Sequence, residues 1–482
     1  MTATLLVRAD GGGPMGAGHV MRQLALAQAW ARPGARVVLA TAHLADEPAA
    51  RWRGEGFEVR QLPGRPDRDA AVLLEVASEV EPAWVSFDGY HLTPSLQEAV
   101  VGSGRRLLVV DDHGAQGRYL ADVIVDQNLG ATAADYGDRR SGSVVLLGPG
   151  YALLRREFGR EVPARTFASR GPLRVLLTLG GGPDRTLLDV IRAGVHDAPC
   201  ATEVVEVGAG MPVVDMAALM ASCDLAVSAA GSTCWELCAT GLPAALVVTA
   251  PNQAPLAARL ADHGAAVHLG PSAEVTSERV TAYVKGLARD PGQRAVMAAA
   301  GRALVDGRGA DRVVAVMRSR ELALRGAVAG DARRLWEWAN DPDVRANAFS
   351  PQPIPWTSHQ AWLSARLRDP ACRIYIAEHG GRPLGQIRFE RNREAPGRIE
   401  VDVSLAAGSR RAGWGSALIR AGMEQLRAEG FEGTVHALVK AVNVASVRAF
   451  AGADFEPAAS EGDSDGVLHM TERSGQAGRH GR

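Results

Sequence analysis

Residues 1 to about 165 alternate short apolar runs with stretches of helical periodicity. The runs are rich in valine and leucine, and several of them end in aspartate. They are Thr4–Val7, Arg36–Ala40, Trp84–Asp88, Arg106–Asp111 and Val123–Asp126. Strands that are apolar throughout and alternate with helices are typical of a parallel sheet with helices on both faces. We therefore predict a Rossmann-like domain over residues 1–165.

The same pattern starts again after a polar stretch near residues 161–171. Its apolar runs are Leu173–Leu179, Asp224–Ser228 and Ala244–Val248. Two consecutive α/β segments of similar size predict a second Rossmann-like domain, residues 166–318, that faces the first across a cleft. Ligands of such sheets bind beyond the C-terminal ends of the strands, so we expect the binding sites in the glycine-rich turns that follow them.

The last third of the chain has a different pattern. Two strands flank Gly380-Gly381, which is a hairpin signal, and Ile399–Leu405 alternates apolar with polar residues. Val467–Met470 could form a last edge strand. We predict an α+β domain with a mostly antiparallel sheet over residues 320–475, followed by a disordered tail at 476–482.

The composition is that of an ordinary globular protein. The chain has 482 residues, 46% of them hydrophobic and 22% charged, with a formal net charge of −1. This length suits about three domains, and no excess of positive charge favours nucleic acid or a membrane surface. No apolar run is long enough to span a bilayer, and the chain does not start with a signal-peptide pattern. Five scattered cysteines favour buried free thiols, so we expect a cytoplasmic protein.

A glycine-rich turn follows the first strand and leads into a helix that begins with a histidine. The turn contains Gly16 and Gly18, and the histidine is His19. Unpaired N–H groups and the positive end of the helix dipole favour a phosphate at such a turn. The same positive end disfavours imidazolium, so we expect a neutral His19 that can accept a proton beside a bound phosphate. The alternative is a histidine that makes only local hydrogen bonds, beside glycines that serve only the turn.

An ordered series of motifs runs through the first two domains. The motifs are Arg8-Ala9-Asp10, Gly16–Arg22, Asp111-Asp112, Asp126–Gly130, Gly148–Arg155, Ser228–Glu236 and Asn252-Gln253. With these motifs, residues 1 to about 320 resemble the nucleotide-sugar hydrolases of pseudaminic acid biosynthesis (PseG-type), which are similar to GT-B glycosyltransferases such as MurG. The resemblance implies a GT-B arrangement with a UDP-linked sugar in the cleft. Water would attack the anomeric carbon with inversion and release UDP.

The resemblance also implies roles for individual residues. His19 would be the general base, with Tyr90 and Asn252 close to the sugar. The implied contacts to the UDP-sugar are Gly16, Gly18, Gly181, Gly231, Ser232, Thr233, Glu236 and Gln253. Glu236 would accept the ribose hydroxyls, although a glutamate in a first helical turn is also favoured by the helix dipole alone. Tyr90 has an equal alternative as a packed loop residue. Since no Asp-x-Asp motif stands out, we expect no metal and a diphosphate stabilised by amides.

A second glycine-rich turn lies in the third domain. Arg410–Ser416 fits the pattern Arg/Gln-x-x-Gly-x-Gly/Ala, in which glycines free N–H groups at a helix start for a pyrophosphate. Residues 322–472 resemble the GCN5-related N-acetyltransferases (GNAT). The resemblance implies that acetyl-CoA is a co-substrate and that the strand at Gly433–Val439 splays from the preceding one to admit the pantetheine arm. The implied coenzyme contacts are Arg410, Arg411, Gly413, Gly415, Ser416, Asn443 and Ser446.

The catalytic groups of the acetyltransferase are less defined. Phe450 stands where many members of the family carry a tyrosine that protonates the leaving thiolate, so that role is unfilled or taken by water or another residue. Glu400, Asp402 and His436 are candidates for the base that deprotonates the amine, and each has a plain alternative as a solvated or sheet-face residue. The segment that begins at Asp331 resembles acetyltransferases that act on amino sugars in the same pathway (PseH-type).

Together these features predict a bifunctional enzyme. It would N-acetylate a UDP-4-amino sugar and then hydrolyse the UDP-linked diacetamido-trideoxy sugar, in the biosynthesis of pseudaminic acid or a related amino sugar. One alternative is a GT-B glycosyltransferase fused to an acyltransferase, acting on a natural product or a cell-surface glycan. Another is that one module has lost activity and only binds a nucleotide sugar or coenzyme A.

Overall fold

The computed structural model describes most of the chain, namely residues 3–12, 16–31, 34–159, 167, 173–180, 185–198, 201–208, 215–458 and 466–473. The chain forms two compact units, Met1–Ala310 and Asp311–Arg482. Gly181, Cys200 and the predicted tail at 476–482 lie outside the described residues. The domain limits that the sequence predicts at residues 165, 318 and 475 stay predictions.

The first sheet of the first unit consists of parallel strands. They are β1 (Thr4–Ala9), β2 (Arg36–Thr41), β3 (Glu58–Gln61), β4 (Trp84–Asp88), β5 (Arg106–Val110), β6 (Val123–Asp126) and β7 (Val144–Leu147). The helices between them are α1 (Gly18–Trp30), α2 (Asp46–Gly54), α3 (Pro66–Val80) and α4 (Pro94–Gly102). The strand order is β3-β2-β1-β4-β5-β6-β7. The direction of winding reverses between β1 and β4, so the topological switch point, where such sheets bind ligands, lies there.

The second sheet of this unit is also parallel. Its strands are β8 (Leu173–Thr178), β9 (Ala201–Val207), β10 (Leu225–Ala229), β11 (Ala244–Val248) and β12 (Ala266–Pro271). Its helices are α5 (Arg185–His196), α6 (Met216–Ser222), α7 (Thr233–Thr240), α8 (Ala254–Asp262), α9 (Ser277–Arg289) and α10 (Pro291–Leu304). The order β12-β11-β10-β8-β9 puts the switch point between β8 and β10.

Successive residues of the second sheet pack into two different cores. Leu176 and Leu246 belong to one buried cluster, whereas their neighbours Val175 and Val247 belong to another. Both faces are therefore covered, which explains why these strands are mostly apolar and do not alternate with polar residues. The predicted α/β class with two Rossmann-like sheets is confirmed.

The second unit is an α+β fold. Its strands are β13 (Ala323–Gly326), β14 (Cys372–His379), β15 (Arg382–Arg391), β16 (Arg398–Leu405), β17 (Thr434–Lys440), β18 (Phe455–Pro457) and β19 (Val467–Glu472). Its helices are α11 (Gly309–Ser319), α12 (Ala332–Ala339), α13 (Pro342–Asn347), α14 (Trp356–Arg368), α15 (Trp414–Ala428) and α16 (Val444–Ala451). The order is β13-β14-β15-β16-β17-β19-β18. β16 and β17 pair in parallel, and the other neighbours are antiparallel, as the sequence predicts.

The predicted hairpin joins β14 to β15. Gly380 and Gly381 have φ angles of +55° and +73°, and the flanking His379 and Arg382 are paired, which makes a two-residue loop that glycine adopts without strain. The expectation that Val467–Met470 forms an edge strand is wrong. β19 lies between β17 and β18, because the short strand Phe455–Pro457 pairs with its outer side. A strand of three residues has too little pattern to be predicted.

Two further expectations about the whole chain can be compared with the structure. Cys223, Cys234, Cys238 and Cys372 are free and buried, as predicted. Among the described residues, no helix combines the length and the apolar content that crossing a membrane requires.

Candidate functional site

His19 lies in the first turn of α1, at the switch point of the first sheet. Its Nδ1 is 2.6 Å from Oδ1 of Asp88, the last residue of β4, whose side chain is fully buried. A carboxylate can only accept, so Nδ1 of the neutral ring carries the proton and Nε2 is left as the acceptor. This hydrogen bond selects the tautomer that a general base requires.

Arg22 lies one turn after His19 on α1 and contacts the same carboxylate. Its Nε and Nη2 donate to the two oxygens of Asp88, each at 2.7 Å. Its Nη1 and Nη2 also reach Asp112, at 3.2 and 3.3 Å. Burial alone would raise the pKa of Asp88, but the charge of Arg22 and the hydrogen bonds from Arg22 and His19 outweigh it and keep that pKa below its ordinary value. Arg22 is therefore the shared counterion of two carboxylates, those of Asp88 and Asp112.

Tyr90 lies in the loop after β4 and is more than half exposed. Its hydroxyl donates to Oδ2 of Asp112 at 2.9 Å and also hydrogen-bonds Asn252. Its ring packs edge-on against that of His19, with 5.4 Å between centroids. Burial and the charge of Asp112 raise the pKa of Tyr90 to about 12, so the hydroxyl keeps its proton at neutral pH. The structure thus brings together the three residues predicted to be catalytic: His19, Tyr90 and Asn252.

Gly231 and Ser232 lie in the turn between β10 and α7, and Thr233 is the first residue of α7, at the switch point of the second sheet. A Cβ placed on Gly18 would lie 3.4 Å from Oγ of Ser232, so the start of α1 approaches the start of α7 closely. Within the described part of the chain, no side-chain hydrogen bond caps either helix start. The first N–H groups of a helix have no partner inside it. Two helix N-termini next to each other suit an anion such as a diphosphate.

Gln253 and Glu236 flank this turn. Oε1 of Gln253 accepts from the backbone N–H of Thr249 at 2.9 Å, which leaves its amide directed toward Gly231. Glu236 is paired with Arg155, whose Nη2 donates to Oε1 at 3.0 Å. Burial raises the pKa of Glu236, and Arg155 opposes this effect. The Glu236 carboxylate therefore already binds a guanidinium, which the sequence did not predict, and its role in binding ribose stays a prediction.

Sequence reasoning did not assign roles to Asp88, Arg22 and Asp112. A signal was present, because Asp88 ends its strand and Asp112 closely follows the next one. The C-terminal ends of neighbouring parallel strands meet at one edge of the sheet. The spacing along the chain, however, does not indicate that these aspartates share one arginine.

In the second unit, β16 and β17 separate from each other. They pair only from Arg398–Thr434 to Glu400–His436, although β16 runs on to Leu405 and β17 to Lys440. The predicted splay is therefore present. Paired residues project to the same side of a sheet, so Glu400 and His436 share a face at the point of separation. Asp402, two residues further, lies on that face as well.

The carboxylates at this splay have partners from the neighbouring chain segments. Glu400 accepts from Nδ2 of Asn392 at 2.8 Å, and Asp402 accepts from Nε2 of Gln386 at 3.0 Å. Both are thus compatible with the plain alternative of a sheet-face residue. Their role as a base stays a prediction, as does that of His436.

The predicted pyrophosphate turn connects β16 to α15. Arg411 and Gly413 have left-handed φ angles of +61° and +81°, and Gly413 is the N-cap of α15. Arg318 donates to the carbonyl of Ala412 and stacks over the ring of Trp414 at 5.5 Å. The first N–H groups of a helix have no partner inside it, and together with nearby guanidinium groups they suit an anion. Arg410 is paired with two carboxylates, which are Asp341 at 2.8 Å and Asp343 at 3.0 Å.

The remaining predicted residues lie on or next to α16. Asn443 caps this helix and accepts from the N–H of Ser446 at 3.2 Å. Gly415 faces α16, and a Cβ placed on it would lie 3.0 Å from that of Ala449. Phe450 is buried against Phe455, with 5.1 Å between ring centroids. A phenyl ring cannot donate a proton, so this position supplies no acid. No group of three or more His, Cys, Asp or Glu side chains in the described ranges could hold a metal ion.

Comparison with known proteins identifies a family for two segments of the chain. Residues 190–310 match the glycosyltransferase family 28 C-terminal domain, and residues 332–455 match the acetyltransferase (GNAT) family. The chain therefore combines a GT-B sugar-nucleotide domain of the family 28 type with a GNAT acetyltransferase domain. This fits the fusion of two modules that the sequence suggests.

Two curated proteins resemble the first unit. The UDP-N-acetylglucosamine--N-acetylmuramyl-(pentapeptide) pyrophosphoryl-undecaprenol N-acetylglucosamine transferase of Methylibium petroleiphilum is 34% identical over 184 residues, which are 32% of this chain and 49% of that protein. The chain thus spans about half the length of that transferase. The spore coat polysaccharide biosynthesis protein SpsG of Bacillus subtilis is 23% identical over 340 residues, which are 64% of this chain and 96% of that protein.

Solved structures resemble the two parts of the chain separately. MurG of Acinetobacter baumannii aligns with 66% of this chain and 99% of its own, at a TM-score of 0.46 and 16% identity. The aminoglycoside acetyltransferase AAC(6')-Ib in complex with coenzyme A aligns with 32% of this chain and 95% of its own, at a TM-score of 0.29 and 22% identity.

Proposed function

We propose that the first unit hydrolyses a UDP-linked amino sugar and that the second unit N-acetylates the UDP-4-amino sugar with acetyl-CoA. The observation that carries the first half is the position of His19. Its ring is oriented by Asp88 and lies at the start of α1, which closely approaches Ser232 at the start of α7. A proton acceptor thus lies beside a pair of helix N-termini that suits a diphosphate.

The proposed hydrolysis needs one base. Nε2 of His19 accepts a proton from water while the water oxygen forms a bond to C1 of the sugar. The bond between C1 and the diphosphate oxygen breaks, and its electron pair leaves with UDP. Tyr90 and Asn252 would hydrogen-bond the sugar, and the N–H groups of the two helix starts would stabilise the charge that develops on the diphosphate. UDP is a good leaving group, so a dedicated acid is not required.

For the second half, the GNAT match and the splay between β16 and β17 support the proposal. The amine of the sugar attacks the thioester carbonyl of acetyl-CoA, the C–S bond breaks, and the thiol leaves with the proton of the amine. The turn from Arg410 to Ser416 would hold the pyrophosphate, and Asn443 and Ser446 would contact the coenzyme. The face with Glu400, Asp402 and His436 would hold the amine.

A glycosyltransferase is the second candidate for the first unit. Two comparisons favour a glycosyltransferase. They are the match to the family 28 model and the 34% sequence identity with an N-acetylglucosamine transferase. The same base would then deprotonate an acceptor hydroxyl instead of water. The two candidates differ only in what attacks C1.

Product analysis by mass spectrometry distinguishes these functions. The substrates are a panel of UDP-4-amino sugars, each incubated with and without acetyl-CoA. We expect an N-acetylated nucleotide sugar that depends on acetyl-CoA, followed by free UDP and free sugar with no acceptor added. UDP that appears only after an acceptor is added would favour the transferase, and neither product from any substrate would contradict both halves.

A matched pair of histidine variants tests the base. His19→Ala should stop UDP release while the protein still binds UDP. His263→Ala is the control, since His263 is exposed at the end of α8 and bonds only the carbonyl of Arg259 among the contacts described. Equal UDP release by both variants would mean that His19 is not the base.

A further inference from the structure

The carboxylate beneath His19 receives four hydrogen bonds from a single helix. Oδ1 of Asp88 accepts from Nδ1 of His19 at 2.6 Å and from Nη2 of Arg22 at 2.7 Å. Oδ2 accepts from Nε of Arg22 at 2.7 Å and from Nε2 of Gln23 at 3.3 Å. Asp88 is fully buried and Arg22 nearly so. Such a set of donors determines both the charge and the orientation of the carboxylate.

We propose that Asp88 and Arg22 are positioning residues for His19. Asp88 accepts the hydrogen bond from Nδ1, which keeps the proton on that nitrogen and leaves Nε2 to accept a proton in the cleft. Arg22 keeps Asp88 ionised and in the orientation that this hydrogen bond requires. The inference deepens the proposed hydrolase function and rests on it for its kinetic consequences. It concerns the ring itself, however, and can be tested without substrate.

Arg22 is needed because a buried carboxylate without a cation would bind a proton. A proton on Oδ1 of Asp88 would turn that atom into a donor, and Nδ1 could then bond it only in the opposite tautomer. The bidentate contact from Nε and Nη2 prevents this, since both oxygens must accept. When His19 takes up a proton, the same carboxylate faces the new imidazolium charge.

The three titratable residues that contact the ring form one network with Asp112. Asp88 comes from β4, Arg22 from α1, Tyr90 from the loop after β4, and Asp112 from the end of β5. Asp112 contacts Arg22 and Tyr90, and also accepts from Nδ2 of Asn128 at 2.8 Å. No contact between Asp112 and the ring is among those described. Asp88 and Asp112 therefore form a matched pair, in which each carboxylate binds Arg22 and Asp88 also binds the imidazole.

Asp88→Asn should reverse the tautomer of His19. An asparagine amide at the Oδ2 position would face two donors, Nε of Arg22 and Nε2 of Gln23. The orientation of the Gln23 amide is fixed, because its Oε1 accepts from Oγ of Ser86 at 2.8 Å. At the Oδ1 position the asparagine amide would face the donor Nη2 of Arg22 and Nδ1 of His19, and the ring nitrogen can become an acceptor. The second arrangement has fewer donor–donor contacts, so Nε2 would carry the proton and could not accept one from water.

The kinetic experiment compares Asp88→Asn with Asp112→Asn in the full chain. We expect kcat for UDP release to fall about 10²- to 10⁴-fold in Asp88→Asn, which is the range of a general base. KM and the affinity for UDP should stay close to those of the wild type. Asp112→Asn should lower kcat less than about tenfold, as expected for the loss of hydrogen bonds that do not involve the base. Equal losses in both variants, or an unchanged kcat in Asp88→Asn, would overturn the proposal.

Nitrogen NMR of histidine-labelled protein tests the ring directly. The signal of His19 is assigned by its disappearance in His19→Ala. We expect a proton on Nδ1 in the neutral ring of the wild type and of Asp112→Asn, and on Nε2 in Asp88→Asn. A wild-type ring protonated on Nε2 would overturn the proposal even if Asp88→Asn fails to fold. If the wild type hydrolyses no UDP-sugar but has the expected tautomer, the proposed function fails and the positioning of the ring stands.

Discussion

Tyr90 and Asn252 hydrogen-bond each other although they belong to different sheets. Tyr90 follows β4 in the first sheet, and Asn252 follows β11 in the second. The hydroxyl of Tyr90 also donates to Asp112. Asp112 binds Arg22, and Arg22 in turn binds Asp88, the carboxylate that contacts His19. The proposed base and a residue of the opposite sheet are therefore linked through one phenol, at the place where we propose that the sugar binds.

Removing that hydroxyl should slow the hydrolysis of UDP-sugars. Tyr90→Phe keeps the ring beside His19 but loses the bonds to Asp112 and Asn252. Each bond is worth about 1 kcal/mol, so the loss of both should lower kcat/KM for UDP release about 30-fold in steady-state assays. Tyr375→Phe is the control, because it removes a hydroxyl that bonds Glu429 in the second unit. Wild-type kinetics of Tyr90→Phe would contradict a role in sugar binding.

The ribose role of Glu236 can be separated from its pairing with Arg155. If the carboxylate accepts from the ribose diol, UDP should bind more tightly than its 2′-deoxy analogue, and Glu236→Ala should remove most of that difference. A hydrogen bond to a charged group is worth about 1.5–3 kcal/mol, so we expect about a 10- to 100-fold loss of UDP affinity by calorimetry. An equal loss for both ligands would indicate that Glu236 serves mainly to hold Arg155.

If Arg410 contacts the coenzyme as predicted, the coenzyme must compete with the carboxylates of Asp341 and Asp343 for it. Asp343 is 82% exposed, so its ion pair with Arg410 contributes little to stability. Asp343→Asn should therefore lower KM for acetyl-CoA by a factor of about two to five, because the guanidinium becomes more available. Arg410→Ala should raise that KM about tenfold, measured as thiol release. UDP release is the internal control in both variants, and an unchanged KM in Arg410→Ala would contradict the predicted coenzyme contact.

Asp331 should make the stability of the second unit depend on pH. Its oxygens accept from Nη1 and Nη2 of Arg325 at 2.7 and 2.8 Å, and this contact lowers the pKa of Asp331 although burial opposes it. Because the folded pKa lies below the unfolded one, the contribution is present above about pH 4 and is lost as the pH falls through the lowered value.

Asp331→Asn should therefore lower the free energy of unfolding by about 1–3 kcal/mol at pH 7. The difference in the free energy of unfolding between Asp331→Asn and the wild type should become smaller as the pH falls below about 4. Denaturant unfolding of the full chain measures this difference. Asp343→Asn is the control, because its carboxylate is exposed and its loss should change stability by less than about 1 kcal/mol. A difference that does not depend on pH would contradict the assignment.

The sequence by itself determined the elements and the turns that carry the candidate chemistry. Three strands, Trp84–Asp88, Val123–Asp126 and Ala244–Val248, have the predicted bounds. Strands that are buried on both faces are mostly apolar without alternation, and this property is local. The placement of His19 at a helix start also follows from local signals, namely a strand, a run of glycines and a helical run.

Only the tertiary structure decided which side chains meet. In the sequence, Asp88 is one of several aspartates at the end of a strand. The pairing of β4 with β1 brings its carboxylate into contact with His19 and Arg22. The ion pair of Glu236 and the inner position of β19 depend in the same way on segments that are distant in sequence. Hydrophobic periodicity indicates whether a residue is buried. Strand order and hydrogen-bond geometry decide which residues it contacts there, and these are established only when the whole chain folds.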